Sequence, residues 1–299
     1  MIGSSESVST ADGLVVVDDG VDRPIARVDA GASAPNDSPT DDRPTGDPSK
    51  ADTEPAPAGL WRELLAIPEM VAFPLSAVTV AVTSSRATPR PVLVLPGFIG
   101  SDQSTLALRG FLWALGHRPY GWGIGRNIGP ADHVAAGLDR VLVQIHDKHQ
   151  QPIDIVGWSL GGVFGRMLAL NRPEMVRQVI SLGSPIRLVR NKSNVNSLFE
   201  LMGSIWKFTA TSRLDIDRIP VPSTTIWTRH DGVVPGLACR QTPGPQAEAI
   251  EVRGTHFGLG YNGAVLRVVA DRLALPNGEW RPFEVTAATR ALYPNSEGG

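Results

Sequence analysis

A serine between glycines is the first residue whose surroundings suggest chemistry. The run IDIVGWSLGG, residues 153–162, places Ser159 two residues after Gly157 and two before Gly161. Glycines at this spacing let a strand and a helix pass closely at a sharp turn, which would expose the serine hydroxyl. A tight structural turn would use the same residue types, so the rest of the chain has to distinguish a nucleophile from a turn.

A serine nucleophile needs a base, and the base needs an acid that orients it. Two histidines, His230 and His256, follow Ser159 in the chain. His256 follows the last predicted strand and Asp231 the strand before it, so both are expected at the same sheet edge as Ser159. His230 is the alternative base, but it adjoins Asp231, and successive side chains of an extended segment point in opposite directions. This reasoning favours Ser159, Asp231 and His256.

Attack by a serine also requires hydrogen-bond donors for the negative charge that develops on the attacked oxygen. One expected donor is the backbone N–H of Leu160, the residue after the serine. The second is expected in LPGFIGSD, residues 95–102, which follows the first predicted strand, and the N–H of Phe98 is the candidate. A plain Pro-Gly turn is the alternative for this loop, but it leaves its apolar Phe-Ile pair unexplained.

These residues depend on elements that bring them to one edge. Short apolar runs alternate with helical patterns from residue 91 onward, which indicates βαβ units. The predicted strands are 91–98, 118–122, 153–159, 178–185, 223–232 and 247–256. The predicted helices are 103–115, 131–149, 160–171, 194–209 and 261–274. We therefore predict an α/β fold with a doubly wound, mostly parallel six-stranded sheet and helices on both faces, whose ligands bind beyond the carboxyl ends of the strands.

Four segments, VLVLPGFIGSD, GWSLGG, DGVVP and GTHFGLG, together resemble the α/β-hydrolase superfamily. The most similar branch is that of bacterial lipases and esterases that lack the first two strands of the fold, and the resemblance covers roughly residues 90–280. It implies Ser159 as nucleophile, Asp231 as acid, His256 as base, and Phe98 and Leu160 as oxyanion donors. Lipases of this branch usually have His-Gly where this chain has Pro96-Gly97, and their disulfide is absent because Cys239 is the single cysteine. Both departures leave the chemistry intact and weaken the inference of a triglyceride substrate.

A small helical lid is expected at about residues 190–215, between the fourth and fifth strands, where lids of this superfamily lie. Within it, residues 194–209 carry Phe199, Met202 and Trp206 on one apolar helical face. Such a face is more often core than lid, although further apolar residues off the face favour a lid over an acyl pocket. Trp158, beside the serine, and Trp122, in a glycine-rich loop, are further candidates for substrate contact.

Composition divides the chain into four segments. Residues 1–58 carry 12 acidic and 4 basic side chains and almost no large apolar ones after Val28, so a disordered acidic segment is predicted. An apolar arm at 59–88, a catalytic domain at 89–285 and a C-terminal tail at 286–299 follow.

The arm contains the longest apolar run of the chain, at 64–82. This run is long enough to span a membrane, but Pro68, Glu69 and Pro74 interrupt it. We expect the arm to pack on the domain or to contact a membrane peripherally through residues 60–84. The N-terminus lacks the basic and apolar regions of a secretory signal, and a single cysteine fits a reducing compartment, so a cytoplasmic protein is predicted.

Several classes of partner are unexpected. The net charge of −2 combines an acidic segment 1–58 with a more basic remainder, but the basic residues form no tight cluster, which argues against nucleic-acid binding. The glycine-rich loop at 120–130 does not match a dinucleotide fingerprint, and HDKH at 146–149 is interpreted as a solvated helix end, so neither cofactor nor metal is expected. The expected ligand is a small-molecule or lipid ester that is hydrolysed through an acyl-enzyme. An acyltransferase with the same triad and a non-catalytic binding protein are the alternatives, and the sequence does not indicate the oligomeric state.

Overall fold

The computed structural model describes residues 60–85, 88–187 and 215–294. The predicted acidic segment 1–58 lies outside the described residues, and so does the predicted lid at 190–215 apart from its last residue. Phe199, Met202 and Trp206, the lid candidates for substrate contact, are therefore outside the described residues as well.

Six parallel strands form one sheet in the described part of the chain. In chain order they are β1 (Pro91–Leu95), β2 (Arg118–Tyr120), β3 (Ile153–Trp158), β4 (Val176–Leu182), β5 (Ser223–Trp227) and β6 (Ala247–Glu251). Their spatial order is β2-β1-β3-β4-β5-β6. The chain runs outward from β1 to β2 and then crosses to β3 on the other side of β1. The carboxyl ends of β1 and β3 therefore adjoin at a topological switch point, where doubly wound sheets bind ligands.

The core lies on both faces of this sheet. All five residues of β1, PVLVL, are buried, as expected for a central parallel strand whose two faces are both covered. Because side chains alternate along a strand, Val92 and Val94 join one apolar cluster, and Leu93 and Leu95 join the other.

Helices cover the two faces. They are α1 (Ala66–Thr83), α2 (Leu106–Ala114), α3 (Asp132–His149), α4 (Leu160–Asn171), α5 (Gly236–Cys239) and α6 (Gly263–Ala274). Buried residues of α1, α2 and α6 belong to the cluster that contains Val92, and buried residues of α3 and α4 to the cluster that contains Leu93. The predicted doubly wound sheet with helices on both faces is confirmed, and in the described residues it is wholly parallel.

Helix ends were better predicted than strand ends. The helix predicted over 160–171 has those bounds, whereas the strands predicted to residues 98 and 232 end at Leu95 and Trp227. Pro96 ends β1 because proline has no N–H for the sheet. After β5, the hydroxyl of Thr228 accepts from the N–H of His230 at 3.2 Å, which starts a turn. The apolar runs therefore continue past the strands into the loops that carry the candidate site.

The arm is a helix that crosses its prolines. A 3₁₀ helix, Leu60–Leu65, leads into α1, and α1 packs against α6. Pro68 lies in the first turn of α1, where a backbone N–H would have no acceptor within the helix, so its missing N–H costs no hydrogen bond. Pro74 lies within the helix without ending it. The interruption expected at these residues therefore does not break the helix.

The two sides of this helix differ. Ala66, Phe73, Ala77 and Val80, spaced at helical intervals, belong to the side that packs on the domain. Leu64, Val71, Leu75, Val78 and Val82 lie on another side at helical spacing and are 61–76% exposed. Trp61–Thr83 is long and apolar enough to cross a membrane by length and composition alone, with a mean hydropathy of 1.8.

Part of the predicted C-terminal tail packs on the domain. Tyr293 follows a short 3₁₀ helix, Arg290–Leu292, and is buried. Its hydroxyl donates to the carbonyl of Ala264 in α6 at 3.0 Å, and its ring meets Phe283 edge-on at 5.0 Å. This burial raises the pKa of the Tyr293 phenol.

Candidate active site

Ser159 lies at the sharp turn between β3 and α4. Its φ of 52° and ψ of −122° are sparsely populated by residues with a side chain. Its N–H donates to the carbonyl of Leu182 in β4 at 2.7 Å, which fixes the turn against the sheet. A Cβ on Gly157 would overlap the backbone of Gly161 and Gly162, so only glycine allows the strand and helix to pass this closely. The close approach predicted from the glycine spacing is present.

Three polar side chains meet at this turn. His256 Nε2 lies 3.0 Å from Ser159 Oγ, and His256 Nδ1 lies 2.7 Å from Asp231 Oδ2. The N–H groups of Val233 and Val234 donate to Asp231 Oδ1 at 2.8 and 2.6 Å, which leaves Oδ2 for the imidazole. His256 and Asp231 are buried at 2% and 3% exposure. Such a chain of contacts can take the hydroxyl proton from the serine and hold the resulting imidazolium.

The electrostatics of His256 favour its charged form. Burial lowers the pKa of the imidazole, but the charge of Asp231, the hydrogen bond to it and the charge of Glu63 outweigh burial and raise that pKa. A base with a raised pKa accepts a proton more readily. Only the neutral imidazole can act as the base, however, and with a raised pKa the imidazole becomes neutral at a higher pH.

The loop after β1 passes directly beside the serine. A Cβ on Gly97 would lie 3.1 Å from the Cβ of Ser159, so the predicted oxyanion loop adjoins the predicted nucleophile. Phe98 follows Gly97 and is 41% exposed. Leu160 is the first residue of α4, where N–H groups have no acceptor within the helix. Both predicted donors thus belong to segments that border Ser159.

Asn127 holds this loop, and the sequence did not single it out. It is fully buried, its side-chain amide donates to the carbonyl of Pro96 at 2.9 Å, and its carbonyl accepts from the N–H of Ile99 at 2.6 Å. Its own N–H donates to the carbonyl of Gly100 at 2.8 Å. Ile99 has a φ of 64°, which is strained for a β-branched residue, so the loop needs such a partner. The glycine-rich sequence does not show which backbone carbonyl and N–H groups of this loop need a partner.

Comparison with known proteins identifies the fold that carries this site. The family model described as the alpha/beta hydrolase fold matches residues 90–236. The chain has the α/β-hydrolase fold. No curated protein sequence matches the chain of this α/β-hydrolase.

Solved structures of lipases share the fold of this α/β-hydrolase. Lipase B of Aspergillus fumigatus is 18% identical with a TM-score of 0.55, and the match covers 71% of this chain and 60% of that lipase. The mature lipase BlEst2 of Bacillus licheniformis is 16% identical with a TM-score of 0.49, over 64% of this chain and 96% of that lipase. A monoacylglycerol lipase of Paleococcus ferrophilus is 13% identical with a TM-score of 0.48, over 63% and 96% of the two chains.

The arm brings a buried carboxylate to this candidate site. Glu63 is 7% exposed, and its Oε1 accepts from the N–H groups of Gly232 at 2.8 Å and His256 at 3.2 Å. Its Oε2 accepts from the N–H of Phe257 at 2.8 Å. The signal in the sequence is a pair of acidic residues, Glu63 and Glu69, at the start of an otherwise apolar stretch.

Glu69, one turn and a half further along the arm, contacts the same loop. Its Oε2 accepts from the hydroxyl of Thr255 at 2.9 Å and its Oε1 from the side-chain amide of Asn262 at 2.5 Å. Burial raises the pKa of this carboxyl, while the hydrogen bonds from Asn262 and Thr255 oppose the rise. Asn262 also caps α6, so Glu69 ties the arm to both ends of the loop that carries His256.

The two tryptophan candidates have packing roles. Trp158 is half-buried; its ring N–H donates to the carbonyl of His256 at 3.1 Å, and its ring meets Tyr261 edge-on at 5.9 Å. Trp122 is fully buried, and its ring N–H donates to the carbonyl of Gly125 at 2.8 Å. The predicted substrate contact of Trp122 is therefore corrected, because a ring without exposed surface anchors the loop at 120–130 instead.

His230 does not join these contacts, as predicted, although it lies in the turn after β5 and not in an extended strand. It is exposed and lies 3.5 Å from the guanidinium of Arg62 in the arm. Burial and the nearby charges of Arg62 and Arg229 lower its pKa.

The HDKH segment contributes to packing at the end of α3. His149 Nε2 lies 2.6 Å from the hydroxyl of Tyr120 in β2. Within the described ranges, no cluster of three or more His, Cys, Asp or Glu side chains could hold a metal ion.

Proposed function

We propose that this α/β-hydrolase is a serine hydrolase of carboxylic esters that works through an acyl-enzyme. The observation that carries the proposal is the pair of contacts through His256, 3.0 Å to Ser159 Oγ and 2.7 Å to Asp231 Oδ2. A solvated loop histidine would not be buried between a strained serine and an oriented carboxylate. The chemistry follows from these contacts.

In the first half of the reaction, Ser159 Oγ attacks the ester carbonyl carbon while its proton passes to His256 Nε2. The carbonyl oxygen becomes negative and accepts hydrogen bonds from the N–H groups of Phe98 and Leu160. The carbon–oxygen bond to the alcohol then breaks, and His256 gives the proton to the departing oxygen. Asp231 stabilises the imidazolium while it exists.

In the second half, water attacks the acyl carbon and His256 takes a proton from it. The bond to Ser159 Oγ breaks, the proton returns to Ser159, and the carboxylic acid leaves. Atoms balance as one ester and one water giving one alcohol and one acid, and no cofactor is required.

The substrate we propose is a small-molecule or lipid ester with an apolar acyl group of short to medium length. Phe98, Ile99 and Phe257 support an apolar group, because they adjoin the proposed machinery in the chain and are 41–57% exposed. The similar structure that is named lipase B supports the ester class. The Pro96-Gly97 pair argues against assuming a triglyceride.

Replacing the nucleophile tests this function. Ser159→Ala protein is expected to lose hydrolysis of p-nitrophenyl esters and covalent labelling by a fluorophosphonate, whereas Ser85→Ala, an exposed serine outside the site, keeps both. A labelled Ser159→Ala protein would contradict the assignment. Ester loss that requires an added alcohol or amine would favour the acyltransferase, and a folded wild-type protein with neither activity would favour a non-catalytic role.

For the arm we propose peripheral contact with a lipid surface at the cytoplasmic side. Five exposed apolar side chains form one stripe along the helix (Leu64, Val71, Leu75, Val78 and Val82), and such contiguous stripes typically mark interaction sites. The double variant Leu75→Glu, Val82→Glu is expected to stop pelleting with phosphatidylcholine vesicles and to leave hydrolysis of a soluble ester unchanged. Leu292→Glu, an exposed apolar position outside the arm, should pellet like the wild type, and equal pelleting of all three proteins would contradict the contact.

A further inference from the structure

The carboxylate of Glu63 bridges the two loops that carry the acid and the base. Oε1 accepts from the N–H of Gly232, next to Asp231, and from the N–H of His256 itself. Oε2 accepts from the N–H of Phe257. One side chain from the arm therefore fixes the backbone on both sides of the Asp231–His256 hydrogen bond.

These three donors select a carboxylate. A glutamine at position 63 would offer one acceptor oxygen, and its amide N–H₂ would face a backbone N–H that needs an acceptor. An apolar side chain would leave all three N–H groups without this acceptor in a buried place, at a cost for each unmade hydrogen bond. Hydrogen bonds to an ionised acceptor are also stronger than neutral ones.

In the described residues, no ion pair neutralises the carboxylate of Glu63. Among the residues that the structure describes, no Lys, Arg or His side chain is within ion-pair distance of this carboxylate. The charged groups that act on the imidazole of His256 are Asp231, from the loop after β5, and Glu63, from the arm. Ser159, from the turn after β3, is neutral. Two carboxylates thus act on one buried imidazole.

We propose that Glu63 is a positioning residue, which holds the loop of Asp231 and the loop of His256 in register and adds a second negative charge beside the imidazole. This inference rests on the proposed triad. It makes the N-terminal arm part of the catalytic unit. The arm precedes the segment that matches the family model, residues 90–236. Glu69 supports the same loop through Thr255 and Asn262 without reaching the imidazole.

The test compares full-length Glu63→Gln and Glu63→Ala with the wild type. Glu279→Gln is the matched control, because Glu279 is exposed in the loop after α6 and far along the chain from the triad. The first readout is an NMR pH titration of the His256 ring, assigned by its absence in His256→Gln protein. Removing a negative charge disfavours the imidazolium, so the pKa of His256 should fall in both Glu63 variants and stay unchanged in Glu279→Gln. An unchanged titration in Glu63→Gln would overturn the added charge.

The second readout is kinetic. We expect kcat for a soluble ester to fall by about 10- to 100-fold in Glu63→Gln with little change in KM, since a small misplacement of catalytic groups acts on the transition state. The acid limb of the kcat/KM profile should move to lower pH. A loss of stability with kcat and the profile unchanged would mean a purely structural carboxylate and would overturn the positioning role.

The two readouts separate this inference from the proposed function. The NMR titration needs no turnover, so a wild-type protein that hydrolyses no ester would contradict the hydrolase and still report whether Glu63 acts on His256. Glu63→Gln is close in size to the native residue. It therefore serves as the measured variant if Glu63→Ala does not fold.

Discussion

The backbone at Ser159 predicts an unusual sign for a stability change. A φ of 52° with a ψ of −122° costs a residue with a Cβ about 1–3 kcal/mol, and glycine adopts it without that cost. Glycine also makes the unfolded chain more flexible, which destabilises the fold by about 0.4–1 kcal/mol relative to alanine. The difference predicts that Ser159→Gly unfolds with a free energy roughly 1 kcal/mol higher than that of Ser159→Ala. Both variants lose the contact with His256, so that contact cancels.

The assay is urea unfolding of the two variants side by side. In thermal unfolding of a domain of this size, the same 1 kcal/mol would correspond to a rise in Tm of about 2–4 °C. Ser101 supplies the control, because its φ of −140° is ordinary extended backbone. There the glycine variant should be less stable than the alanine variant, by about 0.4–1 kcal/mol. A Ser159→Gly protein that is no more stable than Ser159→Ala would refute the argument that the turn stores strain.

Three further predictions concern the chemistry. His256→Ala should lower kcat by about 10⁴-fold or more, whereas His230→Ala should change it by less than about threefold, and severe loss at His230 alone would overturn the choice of base. The kcat/KM of the wild type should rise with pH through an apparent pKa above the ordinary histidine value of about 6.5, because the base must be neutral. Burial lowers the pKa of His256, but Asp231 raises it by more. An acid limb below about 6.5 would contradict this dominance of Asp231 over burial. Asn127→Ala should lower kcat by roughly 10- to 100-fold with a much smaller change in KM, since the loop it holds carries the proposed oxyanion donor Phe98, and a change confined to KM would count against that role.

The fold was predictable because its signals are local and repeated. The alternation of short apolar runs with helical patterns predicted the strands and their crossover helices, and burial on both faces explains the continuous apolar run of β1. The strand ends were less predictable, because Phe98 and Ile99 continue the apolar composition after the backbone has left the sheet.

The meeting of Ser159, Asp231 and His256 could be predicted because parallel strands place their carboxyl ends at one edge. Strand order alone was enough to select Asp231 and His256. The argument that set His230 aside assumed an extended segment, whereas His230 lies in the turn after β5. Asn127 could not be predicted in the same way. Its role depends on which carbonyl and N–H groups the loop after β1 leaves to be satisfied, and the path of that loop is a tertiary property.

The arm shows why the remaining part of the site was missed. Glu69 counted in the sequence as a charge that interrupts a possible membrane span, and Glu63 lies just before that span. In the fold, each carboxylate meets donors from the loop of His256. The helical period contains the decisive information. Leu64, Leu75 and the other members of the exposed stripe lie on one side of the helix, while the acids share the opposite, packed side with Ala66 and Phe73. An apolar helix whose acidic residues all lie on one side has that side covered by protein, because a buried carboxylate needs donors that lipid does not supply.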